Sequence, residues 1–193
     1  MIINKRMLQK TLAKQVPKAI GPRVFKELEM EFEKAKKALL NEFENHEVTR
    51  ELSQGAGGSN ISDTLAGEGN LYAFIGFGGE DALSALRLVL RDSIKIINKK
   101  TNARNLTFSI RVSLPTPSQI AAATPMPWAP GMSWAEGIEK GISGLGQFLS
   151  KKTPASRSGE GIQIDFSVRQ GEFSPRMYIT EILQNFVKSL SSI

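Results

Sequence analysis

Residues Asn105–Leu149 read NLTFSIRVSLPTPSQIAAATPMPWAPGMSWAEGIEKGISGLGQFL, and the pattern decides the fold class. Leu106, Phe108, Ile110, Val112 and Leu114 alternate with Thr107, Ser109, Arg111 and Ser113. A period of two sends successive side chains to opposite faces, so this segment predicts a half-buried strand. Pro115 and Pro117 end it, because proline has no N–H for a strand ladder. A Pro-rich loop follows as far as Met132. Long structureless loops are uncommon in compact domains unless they bind something. This one carries Met126, Trp128, Pro130 and Met132 with no catalytic group beside them. Ser133-Trp134-Ala135-Glu136 then has the spacing of a capping box. It predicts a helix with Trp134, Ile138, Ile142, Leu145 and Leu149 inward. Gly137, Gly141, Gly144 and Gly146 weaken that helix by about 1 kcal/mol each relative to alanine, so it needs close packing against another backbone.

Outward from this stretch, helices and strands alternate. Ile3, Met7, Leu8, Leu12 and Val16 lie near helical spacing, and Pro17, Gly21 and Pro22 predict a break. Pro22 suits the first position of a new helix. That helix carries Phe25, Leu28, Phe32, Ala35, Leu39 and Phe43 on one face and runs to about Asn45. Leu71–Phe77 is a short apolar run that predicts a strand, stopped by Gly78 and Gly79. Asp81 predicts the start of a helix with Leu83, Leu86, Leu90, Ile94 and Ile97 inward. Ile162, Ile164, Phe166 and Val168 alternate as a further strand. Ser174-Pro175 predicts the opening of a last helix, with Tyr178, Ile179, Ile182, Leu183, Phe186, Val187 and Leu190 inward.

The strands are few and alternate in polarity, unlike those of a sheet covered on both faces. The expected class is α+β: a small antiparallel or mixed sheet of about three to four strands packed against helices. A long N-terminal helix and extended loops complete it. The chain of 193 residues divides into a basic N-terminal arm or helix at 1–21 and a single α+β domain at 22–193. Long loops are expected at 51–69, 115–132 and 151–161.

Composition narrows the chemistry. The chain has no cysteine, which excludes disulfides, thiolate zinc sites and a cysteine nucleophile. Its single histidine, His46, argues against a His-dependent triad or a multi-His metal site. The glycines at Gly67–Gly69 precede an apolar run instead of following one, so they do not make a dinucleotide fingerprint. Glu136 reads as a capping residue, Glu139 as a helix-surface charge and Asp165 as an outward strand residue. His46 reads as an exposed helix-end residue. No catalytic, cofactor-binding or metal site is expected, and no enzyme. No apolar run approaches the length that spans a bilayer.

Charge is unevenly placed. The net charge is +6, yet residues 1–26 hold seven basic residues and no acid. Lys5, Arg6, Lys10 and Lys14 therefore form an arm suited to an anionic partner such as nucleic acid. Trp134 lies in helical register and reads as core. For Trp128 two readings stay open, core packing and interface anchoring, since aromatics and methionine are enriched at interfaces.

GNLYAFIGFGGEDAL (Gly69–Leu83), TPMPWAPGMSWAEGIEKGISGLGQFL (Thr124–Leu149) and SRSGEGIQI (Ser156–Ile164) resemble segments of tailed-bacteriophage virion proteins of the tail-completion or neck type. The resemblance spans roughly Glu27 to Leu190, and its motifs carry no catalytic residue. It implies a structural subunit of the virion, in a ring at the head–tail junction with a tail-completion, tail-terminator or connector role. It further implies a homo-oligomer, a hexamer in the family's manner, and no cofactor. Neck, connector or tail-tube proteins and packaged DNA would be its partners. Such a protein assembles in the host cytoplasm and resides in the virion. Met126, Trp128, Pro130 and Met132 are then the expected subunit or partner contacts. The alternative is a nucleic-acid-binding protein acting through the basic arm.

Overall fold

The computed structural model of the chain describes the backbone of residues 5–65, 69–103, 105–127, 129–140, 148–149, 162–163 and 175–191. Seven helices and six short strands lie within these residues, together with a 3-10 turn at Gly55–Gly57. The class is α+β, with a long N-terminal helix.

Helix α1, Lys5–Asn45, is 41 residues and about 60 Å long at 1.5 Å per residue. Its predicted stripe faces the core: Phe32, Leu39 and Phe43 are buried, and Phe25, Leu28 and Ala35 partly so. The expected break at residues 17–22 does not occur. Pro17 and Pro22 lie inside one continuous helix, although each removes a backbone hydrogen bond to the preceding turn. Packing offsets that loss around Gly21, which is buried against the ring of Phe108. The arm and the domain therefore share one helix.

Helix α2, Glu47–Ser53, follows after His46. Leu71–Ile75 forms helix α3 and not the expected strand. A short apolar run does not distinguish the two, but its ends do. Asn70 Oδ1 accepts the Ala73 N–H at 2.8 Å, and Gly76 closes the helix at φ 90°, a left-handed position that favours glycine. Helix α4, Ser84–Ser93, buries Leu86 and Leu90. The helix expected to continue to Ile97 stops at Ile94, whose backbone is extended. β-Branched Ile94, Ile96 and Ile97 favour extended chain, and Lys95–Asn102 is strand β1.

Strand β2, Thr107–Ser113, matches the predicted alternation, with Phe108, Ile110 and Val112 half-buried and Thr107, Ser109 and Arg111 exposed. It pairs antiparallel with β1. The expected structureless loop at 115–132 is largely ordered. Helix α5, Pro117–Ala123, opens on a full capping box of Thr116 and Gln119 with proline in its first turn. Strands β3, Pro125–Met126, and β4, Ala129–Ser133, then form a small hairpin. Helix α6 spans Trp134–Lys140. Phe148–Leu149, expected at the end of that helix, is instead strand β5, paired antiparallel with β6, Ile162–Gln163. Each described ladder has two strands, so the β structure is dispersed and not gathered in one sheet. Ile142, Leu145, the loop at 151–161 and the strand residues Ile164–Val168 lie outside the described residues.

Helix α7, Ile179–Ser191, begins later than Ser174-Pro175. It buries Ile179, Ile182 and Phe186, whereas Val187, expected inward, is 44% exposed. The core lies between α1, α4, α6 and α7. Trp134 and Tyr178 are its largest fully buried side chains. Tyr178 stacks on Phe43 at 6.1 Å, and Phe32 meets Phe186 edge-on at 6.2 Å.

Candidate functional site

Of the titratable groups that the sequence singles out, His46, Glu136 and Glu139 are committed to structure, and Asp165 lies outside the described residues. His46 separates α1 from α2, and its Nδ1 accepts the Val48 N–H at 3.2 Å as the N-cap of α2. Its ring lies 4.7 Å from that of Tyr178. It is half-buried, not an exposed helix end. Burial lowers its pKa below 6.5, while Glu181, Glu47 and Glu42, and a backbone hydrogen bond at Met177, pull the other way.

Glu139 is not a solvated surface charge. Its Oε1 accepts the N–H groups of Thr180 at 2.7 Å and Tyr178 at 3.3 Å, and its Oε2 accepts the Thr180 hydroxyl at 2.7 Å. It caps α7 from 41 residues away. Glu51 is fully buried and accepts three donors: Ser62 N, Ser62 Oγ and Leu71 N. That carboxylate ties Ser62 and the start of α3 to α2. In the Ser133 box, Ser133 Oγ accepts the Glu136 N–H at 3.1 Å as expected, but the Glu136 carboxylate pairs with Lys140. Arg87 bridges Glu44 at 2.8 Å and Asp81 at 3.4 Å, and the hydrogen bond to Glu44 raises its pKa. Among the described residues, no cluster of three metal-ligating side chains occurs. Among the same residues, no helix is long and apolar enough to cross a membrane.

The four expected contact residues separate. Met126 is 3% exposed and packs in the chain's own core, so it is not an outward contact in this conformation. Met132 is 51% exposed on β4. Trp128 and the side chain of Pro130 lie outside the described residues, as do the side chains of Lys5, Arg6, Lys10 and Lys14. The backbone of those four cations forms the first turns of α1.

A different surface emerges around Ser133. Helices α5, α6 and α7 border a groove of about 880 Å³, lined mainly by apolar groups. Leu114, Ile120 and Ala121 form one wall, and Ile179, Leu183 and Val187 the other. Glu136, Lys140 and Lys188 stand at its rim. The groove was missed in the sequence because α5 was hidden inside a Pro-rich segment. The TPSQ capping box was the signal that could have revealed it.

No family model matches the chain, and no curated protein or solved structure matches it either.

Proposed function

We propose that the protein is a non-enzymatic structural subunit of a tailed-phage virion that assembles with copies of itself into a ring at the head–tail junction. The motif likeness around Gly69–Leu83 and Thr124–Leu149 supports the virion setting. The observation that carries the assembly role is the apolar groove between α5 and α7, lined by Ile120, Leu183 and Val187. An open surface of that size and polarity is suited to a protein segment. Met132, exposed on the neighbouring hairpin, supplies an apolar group that a copy can bury. Contacts between two different patches of identical chains close into rings when the rotation permits. The titratable residues described above cap helices, tether loops or form ion pairs, which accords with an assembly role.

The setting is tested on virions of a phage that encodes this chain. Immunogold labelling should mark the head–tail junction. Label confined to the capsid surface, or intact virions lacking the chain, would refute the reading. The second reading, nucleic-acid binding through Lys5, Arg6, Lys10 and Lys14, rests on the acid-free first turns of α1. Loss of DNA binding on deleting residues 1–18 would favour it.

A further inference from the structure

The β1–β2 hairpin turns a cationic, carboxylate-free face to solvent. The sequence holds no acid from Ser93 to Ala135. The pairing register then sorts the side chains. Ile96 pairs with Val112 and Lys99 with Ile110 on the face toward α1, where Phe25 meets Phe108 edge-on at 5.6 Å. Lys99 is spent there, paired with Glu29 and lying over the ring of Phe25. The opposite face carries Lys95, Asn98, Lys100, Ser109 and Arg111, all exposed.

A bulge makes this possible. Register shifts between Ile96 and Asn98, leaving Ile97 as the extra residue. Without it, strict alternation would put Lys95 and Lys100 on opposite faces. With it, both point outward, and Arg111, opposite Asn98, lies between them. Asp92, in the preceding helix, is hydrogen-bonded by Arg91 at 2.9 Å and also feels the charges of Lys36 and Lys95. Among the described residues, no salt bridge reaches Lys95, Lys100 or Arg111.

We propose that this face binds the phosphate backbone of double-stranded DNA, with Lys95, Lys100 and Arg111 as its cations. Three features select that partner. Cations among amide and hydroxyl groups match phosphate oxygens, which take most protein–DNA hydrogen bonds. The face carries no aromatic side chain, so it offers no platform for stacking single-stranded bases. A two-stranded ribbon fits the DNA major groove, which is about 12 Å wide, and Lys95 and Lys100, opposite Ser113 and Ser109, stand about 14 Å apart along the strand, far enough to reach phosphates on both rims. The proposal is independent of the virion reading and of the N-terminal arm, because it rests on the hairpin face alone.

The test is fluorescence anisotropy of the full chain with a labelled mixed-sequence DNA duplex, titrated with salt. Binding should weaken with salt. The variant Lys95→Ala/Lys100→Ala/Arg111→Ala should bind at least about tenfold more weakly at low salt, with a log–log salt slope shallower by about 2 to 3. The conservative variant Lys95→Arg/Lys100→Arg/Arg111→Lys should retain affinity, and unchanged thermal melting shows that each variant is folded. The variant Lys5→Ala/Arg6→Ala/Lys10→Ala/Lys14→Ala should leave the hairpin-dependent part of the slope in place. Three results would overturn the proposal: no duplex binding by the native chain, native-like binding by the hairpin variant, or equal affinity for single-stranded DNA or an RNA duplex. The last follows because the RNA major groove is too narrow for the ribbon.

Discussion

The hydroxyl of Tyr178 lies 2.6 Å from that of Thr49, a buried hydrogen bond between residues 129 positions apart. It fastens α2, near the end of the long N-terminal helix, to the segment that opens α7. Tyr178 also stacks on Phe43 and lies 6.5 Å from Trp134. Burial raises its pKa well above the ordinary range, so the phenol stays protonated at any physiological pH.

Removing one partner of that bond leaves the other buried and unsatisfied. Tyr178→Phe and Thr49→Val should each cost about 1–2 kcal/mol in denaturant unfolding. The double variant should cost less than the two singles together, because it leaves no orphaned hydroxyl. Simple additivity would show that the bond contributes nothing.

His46 should make stability depend on pH. Its folded pKa is lowered, so the unfolded chain takes up the proton more readily. Stability is fully present above the ordinary value of 6.5 and falls as pH drops below it toward the folded value. Protonated Nδ1 is also a donor facing the Val48 N–H donor, so the cap is lost. His46→Asn keeps a capping acceptor and cannot titrate. Thermal melting should therefore decline as pH falls below about 6.5 in the native chain but not in this variant. Parallel pH profiles would contradict this role.

Glu139 should behave as a distant helix cap. Glu139→Ala strips the acceptors from Tyr178 N, Thr180 N and the Thr180 hydroxyl, and should cost about 1–2 kcal/mol. Hydrogen exchange should rise first at the start of α7. Exchange that rises equally throughout the chain would deny the cap.

Leu106 holds φ at 52° beside the hairpin turn while 47% exposed. A branched residue in the left-handed region is strained by about 1 kcal/mol or more, and its packing returns little. Leu106→Gly should raise stability by about 1 kcal/mol in urea unfolding. A loss would mean that the Leu106 side chain packs more usefully than its exposure suggests.

Local patterns exposed much of this fold. The stripe from Phe25 to Phe43, the alternation from Thr107 to Ser113 and the inward Trp134 all follow from period alone. Elements set by single residues were harder to see. Asn70 and Gly76 turned an apolar run into a helix. Ile94 ended a helix whose apolar spacing continued to Ile97. Gly21 kept a helix continuous across two prolines because Phe108, far along the chain, packs there. The surfaces were hardest of all. The groove needs α5, α6 and α7 together, and the cationic face depends on a bulge that alternation does not announce. The ties of Glu139 to Thr180 and of Glu51 to Leu71 join distant segments with no sequence signal.

The assembly role meets its most direct test in the native mass of the purified chain, measured over a range of concentrations beside Leu183→Glu. Leu183 lines the groove and is only partly buried, so the substitution sets a charge into the proposed contact. The expected result is a discrete closed oligomer that falls to monomer in the variant. A native chain that stays monomeric at every concentration, or a variant that assembles unchanged, would contradict the claim that this groove builds a ring.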